Sequence, residues 1–161
     1  MPFYFAYGAN MDAAAMRARC PGSRALGRAR LARRRFALMA DGYATLVRDP
    51  ASQTHGVLYD LALSDTPALD RYEGVARGLY CKAIQPVLRE DGSPVRALVY
   101  IGAAPAASGL AKNPAYMQGV IAAAQDAGLP APYVDFLRSL LSGGLVAAPQ
   151  RRAIKWTPSE I

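Results

Sequence analysis

The 161 residues total 17.2 kDa, about one domain at the usual ~100–200 residues each, and 52% hydrophobic content is too apolar for a disordered chain. Two cysteines, Cys20 and Cys81, are too few for a disulfide framework or a structural zinc site, and the longest apolar stretch, Leu98 to Ala107, is too short to span a bilayer. Nineteen Lys and Arg against twelve Asp and Glu give +7, a balance that favours anionic partners.

Along the chain, Met1 to Gly8 has neither a basic leader nor a long apolar core of a signal segment. Phe3 to Tyr7 reads as a strand running into a tight loop at Gly8 and Asn10. Met11 to Cys20 follows with Asn10 and Asp12 as cap residues and is stopped by Pro21-Gly22, a short helix. Arg28 to Arg35 is the densest basic run; no aromatics are interleaved as a base-stacking platform requires, so it reads as a solvated face and nucleic acid is the rival reading. Leu31 to Val47 predicts one or two strands turning near Asp41-Gly42, then a loop around Asp49-Pro50 and a further strand over Gly56 to Leu61.

Thr66 and Pro67 predict a helix start, with Thr66 as cap and Gly74 as stop. Leu79 to Leu88 and Val95 to Ile101 flank Glu90-Asp91-Gly92-Ser93, a hairpin signal. Asn113-Pro114 opens a helix with Met117, Val120, Ile121 and Ala124 on one face, ended at Gly128. A second helix begins near Pro132, carries Tyr133, Phe136, Leu137, Leu140 and Leu141, and is closed by Gly143-Gly144. The tail, residues 145–161, is left unassigned. Strands early and in the middle with long helices late predict an α+β fold around a mainly antiparallel or mixed curled sheet.

The chemistry on offer is narrow. His55 is the single histidine, so no Ser-His-Asp or Cys-His set can be assembled, and at a strand entrance it reads as structural. No phosphate-binding glycine loop and no metal-ligand spacing is present, which leaves carboxylates, tyrosines and backbone amides. The turn after Tyr7 presents backbone N–H groups able to hold a carboxylate or oxyanion. Glu73 sits at a helix end, against the dipole, where burial would raise its pKa into the range useful for proton transfer.

Tyr4-Phe5-Ala6-Tyr7-Gly8-Ala9-Asn10-Met11 resembles the Y-F-A-Y-G-S-N-[LM] signature of the γ-glutamylcyclotransferase-like (AIG2-like) family. Leu69 to Val75 resembles its L-D-x-x-E-G-V segment, Gly78-Leu79-Tyr80 its G-x-Y, and Asn113 to Tyr116 with Gly128-Leu129-Pro130 and Tyr133 its helical hairpin. The likeness runs in order from Tyr4 to Leu141. It implies a small, closed or nearly closed mixed β-barrel with flanking helices, a pocket at one barrel end, and no cofactor or metal. It implies cyclisation of a γ-glutamyl compound to 5-oxoproline and a free amino acid or amine, with Glu73 as acid and base. The same resemblance assigns substrate binding to Tyr4, Phe5, Ala6, Tyr7, Gly8, Ala9 and Asn10, and gives Tyr80 and Tyr116 a bond to substrate, a part in ordering Glu73, or a place in the wall. Ala9 departs from the family's serine: the backbone donor survives and a hydroxyl is lost. The alternatives are removal of a γ-glutamyl group from an amine in a biosynthetic sequence, and a non-catalytic basic binding module on the same scaffold. The expected setting is cytoplasmic, the partner a small molecule, with a homodimer left open.

Overall fold

A computed structural model of the chain describes residues 2–107 and 111–142, so the tail and the Gly143-Gly144 stop lie outside the described residues. Five strands form a closed barrel: β1 (Phe3–Ala6), β2 (Arg24–Leu38), β3 (Ala44–Asp60), β4 (Tyr80–Arg89) and β5 (Pro94–Gly102), in the order β1-β3-β2-β4-β5. All pairings are antiparallel except β1 with β5, where Phe3 faces Ala97 and Tyr4 faces Leu98 in parallel and the barrel closes. Four helices flank it: α1 (Ala13–Arg19), α2 (Thr66–Tyr72), α3 (Pro114–Asp126) and α4 (Ala131–Ser142). None of the described helices is long and apolar enough to cross a membrane.

Local chemistry explains most boundaries. The Asp12 carboxylate accepts from the Ala15 N–H at 2.6 Å and caps α1; the Asn113 side chain accepts from Tyr116 N–H at 3.1 Å and caps α3, with Pro114 in its first turn. The β4–β5 hairpin turns at Asp91-Gly92, where the Asp91 carboxylate holds the Ser93 N–H at 2.8 Å. Buried side chains run from the strands into α3 and α4 as one cluster that includes Phe5, Phe36, Leu58, Val99, Met117 and Leu137.

Three expectations need correction. The strands β2 and β3 are longer than the hydrophobic pattern implies, and there is no separate loop around Asp49-Pro50. The register breaks opposite Arg33, a non-glycine residue at φ 63°, and Asp49 to Ser52 bulge out between the Arg34–Arg48 and Ala32–Gln53 pairs. The Asp49 carboxylate ties that bulge together by accepting from Ala51 N–H at 3.1 Å and the Ser52 hydroxyl at 2.7 Å. The residue before α2 is Asp65, not Thr66, and its carboxylate does not cap the helix because it accepts from the Ser23 hydroxyl at 2.7 Å. Finally, Val95, Ala97, Val99 and Ile101 alternate in the sequence, as for a strand with one buried face, yet β5 is buried on both, Leu98 and Tyr100 as well as Ala97 and Val99.

The basic run lies along β2, with Ala29 and Leu31 turned into the core. Arg28 pairs with Glu90 and donates to the Gly128 carbonyl at 2.7 Å, and Arg35 reaches Asp49 at 3.4 Å. Part of its charge is thus matched within the fold.

Gly56 is where the sheet is tightest. A Cβ there would collide with the Ala6 carbonyl and lie 2.9 Å from the Phe5 ring, against backbone that leads straight into the turn after β1. Gly56→Ala is expected to lower stability by about 1–3 kcal/mol, the usual cost of overpacking. A denaturation midpoint equal to that of the unmodified chain would contradict the account.

Candidate active site

The end of β1 opens into a single turn of 3-10 helix, Ala9–Met11, closed by Met11 N–H on the Gly8 carbonyl at 3.0 Å. Helix α1 follows at once and brings Arg19 back beside Asn10, whose Oδ1 accepts from the Arg19 guanidinium. A guanidinium can only donate, so this bond fixes which way the Asn10 amide faces. Asn10 Nδ2 therefore donates on its other side, to the Tyr4 hydroxyl at 3.0 Å and to Glu73 Oε1 at 3.1 Å. The Asn10 carbonyl is held in turn by the Tyr59 hydroxyl at 3.2 Å, and Asn10 is only 3% exposed.

Glu73 is the last residue of the α2 turn, its N–H bonded to the Leu69 carbonyl at 2.9 Å, with Leu69 fully buried beneath it. Gly74 at φ 64° ends the helix; a side chain there would be strained, and its Cβ would sit 2.7 Å from Leu79 Cδ1. Burial pushes the Glu73 carboxyl up to about 7, and the charge of Arg19 opposes that rise. The carboxylate against the helix dipole is thus held in a partly buried place.

Around Glu73 lies a cavity of about 420 Å³, in the size range of small-molecule sites, roughly 300–1,000 Å³. Tyr4, Tyr7, Gly8, Ala9, Asn10, Glu73, Tyr80 and Tyr116 all line it. Phe5 and Ala6 do not: both are fully buried in the core, and neither borders the cavity. The hydroxyls are mostly engaged. Tyr7 donates to the Tyr100 carbonyl and Tyr80 to the Ala44 carbonyl, each at 2.6 Å. The Tyr116 oxygen accepts from Ala44 N–H at 3.4 Å. Neither Tyr80 nor Tyr116 bonds Glu73, which takes its hydrogen bond from Asn10. Burial holds the Tyr4, Tyr80 and Tyr116 phenols well above their ordinary range, with the Glu73 charge adding to the rise, so each stays protonated.

Several lining or supporting groups escape sequence reasoning. Tyr100 lines the cavity from β5 and donates to Asp70 Oδ1 at 2.6 Å; that carboxylate also holds the Lys82 ammonium at 2.9 Å. Asp41, Tyr43, Tyr72, Arg77 and Leu79 complete the rim. Arg19 carries no motif signal; it matters only because α1 folds back on the turn that precedes it. His55 lies outside this cavity, 5.0 Å from the Tyr133 ring, and burial lowers its pKa to about 4, so it is neutral. Among the described residues no group of three or more His, Cys, Asp or Glu gathers as a metal site.

The sequence pattern of the AIG2-like family matches residues 53–137, more than half of the chain. The chain belongs to the AIG2-like family. Solved structures extend the likeness to the whole barrel. One named gamma-glutamyl cyclotransferase superposes with a TM-score of 0.75 at 22% identity, covering 94% of this chain and 91% of that one. The human uncharacterized protein loc79017 gives 0.73 at 22%, covering 94% and 90%. A yeast gamma-glutamyl cyclotransferase specific to glutathione gives 0.60 at 13%, covering 88% and 94%. These identities establish a shared fold. No curated protein matches the sequence. The AIG2-like match holds Glu73, Tyr80 and Tyr116, while Tyr4, Tyr7, Gly8, Ala9 and Asn10 lie before it and line the same cavity.

Proposed function

We propose that this protein is a γ-glutamyl cyclotransferase: it converts a γ-glutamyl compound to 5-oxoproline and a free amino acid or amine. The observation that carries this reading is Glu73: it lines the cavity beside the turn from Tyr7 to Asn10, accepts from Asn10 Nδ2 at 3.1 Å, and is pushed up to about 7 by burial. The substrate brings its own nucleophile. Its α-nitrogen attacks the γ-carbonyl carbon, the new C–N bond closes a five-membered ring, and the bond to the leaving nitrogen breaks. Two protons leave the α-nitrogen as it passes from ammonium to lactam, and the leaving nitrogen takes up two as it departs as an ammonium. Glu73 carries them one at a time, base to the first nitrogen and acid to the second. Holding the glutamyl chain bent exploits effective molarities that reach ~10⁵–10⁸ M for well-oriented ring closures.

In this reading the oxyanion forms beside the turn from Tyr7 to Asn10. Tyr116 contributes there: its oxygen already accepts from Ala44 N–H, which leaves its proton to donate. Ala9 still supplies its amide, so the lost serine hydroxyl weakens grip on the glutamyl head without removing the oxyanion's donors. The small-molecule partner and an unanchored, cytoplasmic setting belong to the same proposal. Incubation with a panel of γ-glutamyl amino acids and amines, followed by assay of 5-oxoproline, tests it. Release from at least one compound is expected; release from none overturns the reading.

A further inference from the structure

The cavity has two chemically different ends. Its floor carries Asn10, Tyr4 and Glu73. Its mouth carries large exposed apolar side chains between two charged ones, Asp41 and Arg77. Six large apolar side chains stand exposed among the described residues, and three of them border this one cavity: Tyr43 and Tyr72 at 45% and Leu79 at 46%. Exposed apolar surface gathered at a pocket marks contact with a ligand.

These walls are also held in place from behind. The Arg19 guanidinium lies over the Tyr72 ring, 3.4 Å from its centroid. The Tyr43 ring meets Tyr116 edge-on, with centroids 5.0 Å apart and planes at 73°. Leu79 fills the space that the missing side chain of Gly74 leaves open. Rings already fixed give up little conformational freedom when a ligand packs against them. The charged groups at the rim, Asp41 and Arg77, are one of each sign, so net charge selects neither a cationic nor an anionic leaving group.

Resting on the cyclotransferase reading, we infer that this mouth is the leaving-group subsite and selects γ-glutamyl derivatives whose amine carries a large apolar group, an aromatic one above all. The α-nitrogen and the γ-carbonyl must both lie within reach of Glu73, which sets the glutamyl head on the floor. The leaving nitrogen then points outward, and its substituent passes between Tyr43, Tyr72 and Leu79.

γ-Glutamyl-phenylalanine and γ-glutamyl-alanine test this in two ways: 5-oxoproline release by the unmodified protein, and the dissociation constant of each compound on Glu73→Gln. The phenylalanine compound is expected to win by about tenfold in both kcat/KM and affinity, the worth of one aromatic contact and a few buried carbons. Tyr43→Ala and Leu79→Ala are each expected to bring that ratio toward one. A ratio of one, or one favouring alanine, in the unmodified protein overturns the subsite. If neither these two nor any other compound of the γ-glutamyl panel releases 5-oxoproline, the cyclotransferase reading fails, and the ratio of dissociation constants alone decides the subsite; binding of neither overturns it too. If Glu73→Gln does not fold, the same ratio is read on the unmodified protein with N-acetylated compounds, whose nitrogen cannot attack.

Discussion

Glu73→Gln is expected to abolish cyclisation while making the protein more stable at alkaline pH. Glutamine keeps the shape and can still accept from Asn10 Nδ2, but it transfers no proton, so kcat falls by roughly 10²–10⁴. The stability gain follows from linkage. The Glu73 carboxyl rises from 4.5 to about 7 in the fold, so the folded state prefers the protonated form. That preference contributes fully below pH 4.5 and is lost as pH climbs through 7, on the order of 3 kcal/mol at ~1.4 kcal/mol per pH unit. Above pH 7 the charged carboxylate is a burden on the fold that glutamine removes, the trade of stability for function seen at other strained sites. Denaturation of both proteins at pH 5 and pH 9 checks this: near-equal midpoints at pH 5 and a higher one for Glu73→Gln at pH 9 are expected. Turnover within a few-fold of the unmodified protein removes Glu73 from the chemistry.

The second large effect is in the pH profile. A base with a pKa of about 7 is charged above that pH, so kcat/KM is expected to fall tenfold per pH unit below about 7. Burial raises the Glu73 pKa and Arg19 lowers it, so Arg19→Met is expected to move this acid limb to higher pH. Activity lost at pH 7 then returns at pH 9, and Arg19→Lys, which keeps the charge, retains more of the original profile. Two features make Arg19 more than a charge: it locks the Asn10 amide, and it covers one face of Tyr72. Carboxyl titration of Glu73 by NMR in both proteins reads the same shift without substrate. An acid limb unmoved by Arg19→Met contradicts the electrostatic role.

What the sequence makes legible is local. The Asp91-Gly92 turn, the Asn113 cap and the strand-to-turn junction at Gly8 each carry their chemistry within four residues, and all three stand where expected. Glu73 is conspicuous because a carboxylate against a helix dipole needs a reason. The Arg33 bulge has no such mark, since arginine at positive φ is a consequence of how β2 and β3 pair over their whole length. Tyr43, Tyr72 and Tyr100 come to one cavity from the β2–β3 turn, α2 and β5, with Arg19 of α1 behind Tyr72, and nothing short of the closed barrel brings them together. Phe5 and Ala6 show the converse: they sit inside a recognisable motif, yet the strand turns both into the core.

The parallel seam between β1 and β5 fixes when the site can exist. Phe3 and Tyr4 leave the ribosome before their partners Ala97 and Leu98, which follow more than ninety residues later, and the β3 partners of β1, Val57 to Asp60, follow more than fifty later. Pairings this far apart in sequence carry a large loop-closure cost and belong to the slower-folding topologies. During synthesis the segment that ends in the Gly8 turn therefore waits, unpaired and apolar, until β3 is made, and keeps one edge open until β5 follows. A chain that stops short of β5 leaves one side of β1 without its neighbour, and the turn bearing Asn10 hangs from a strand held on a single edge.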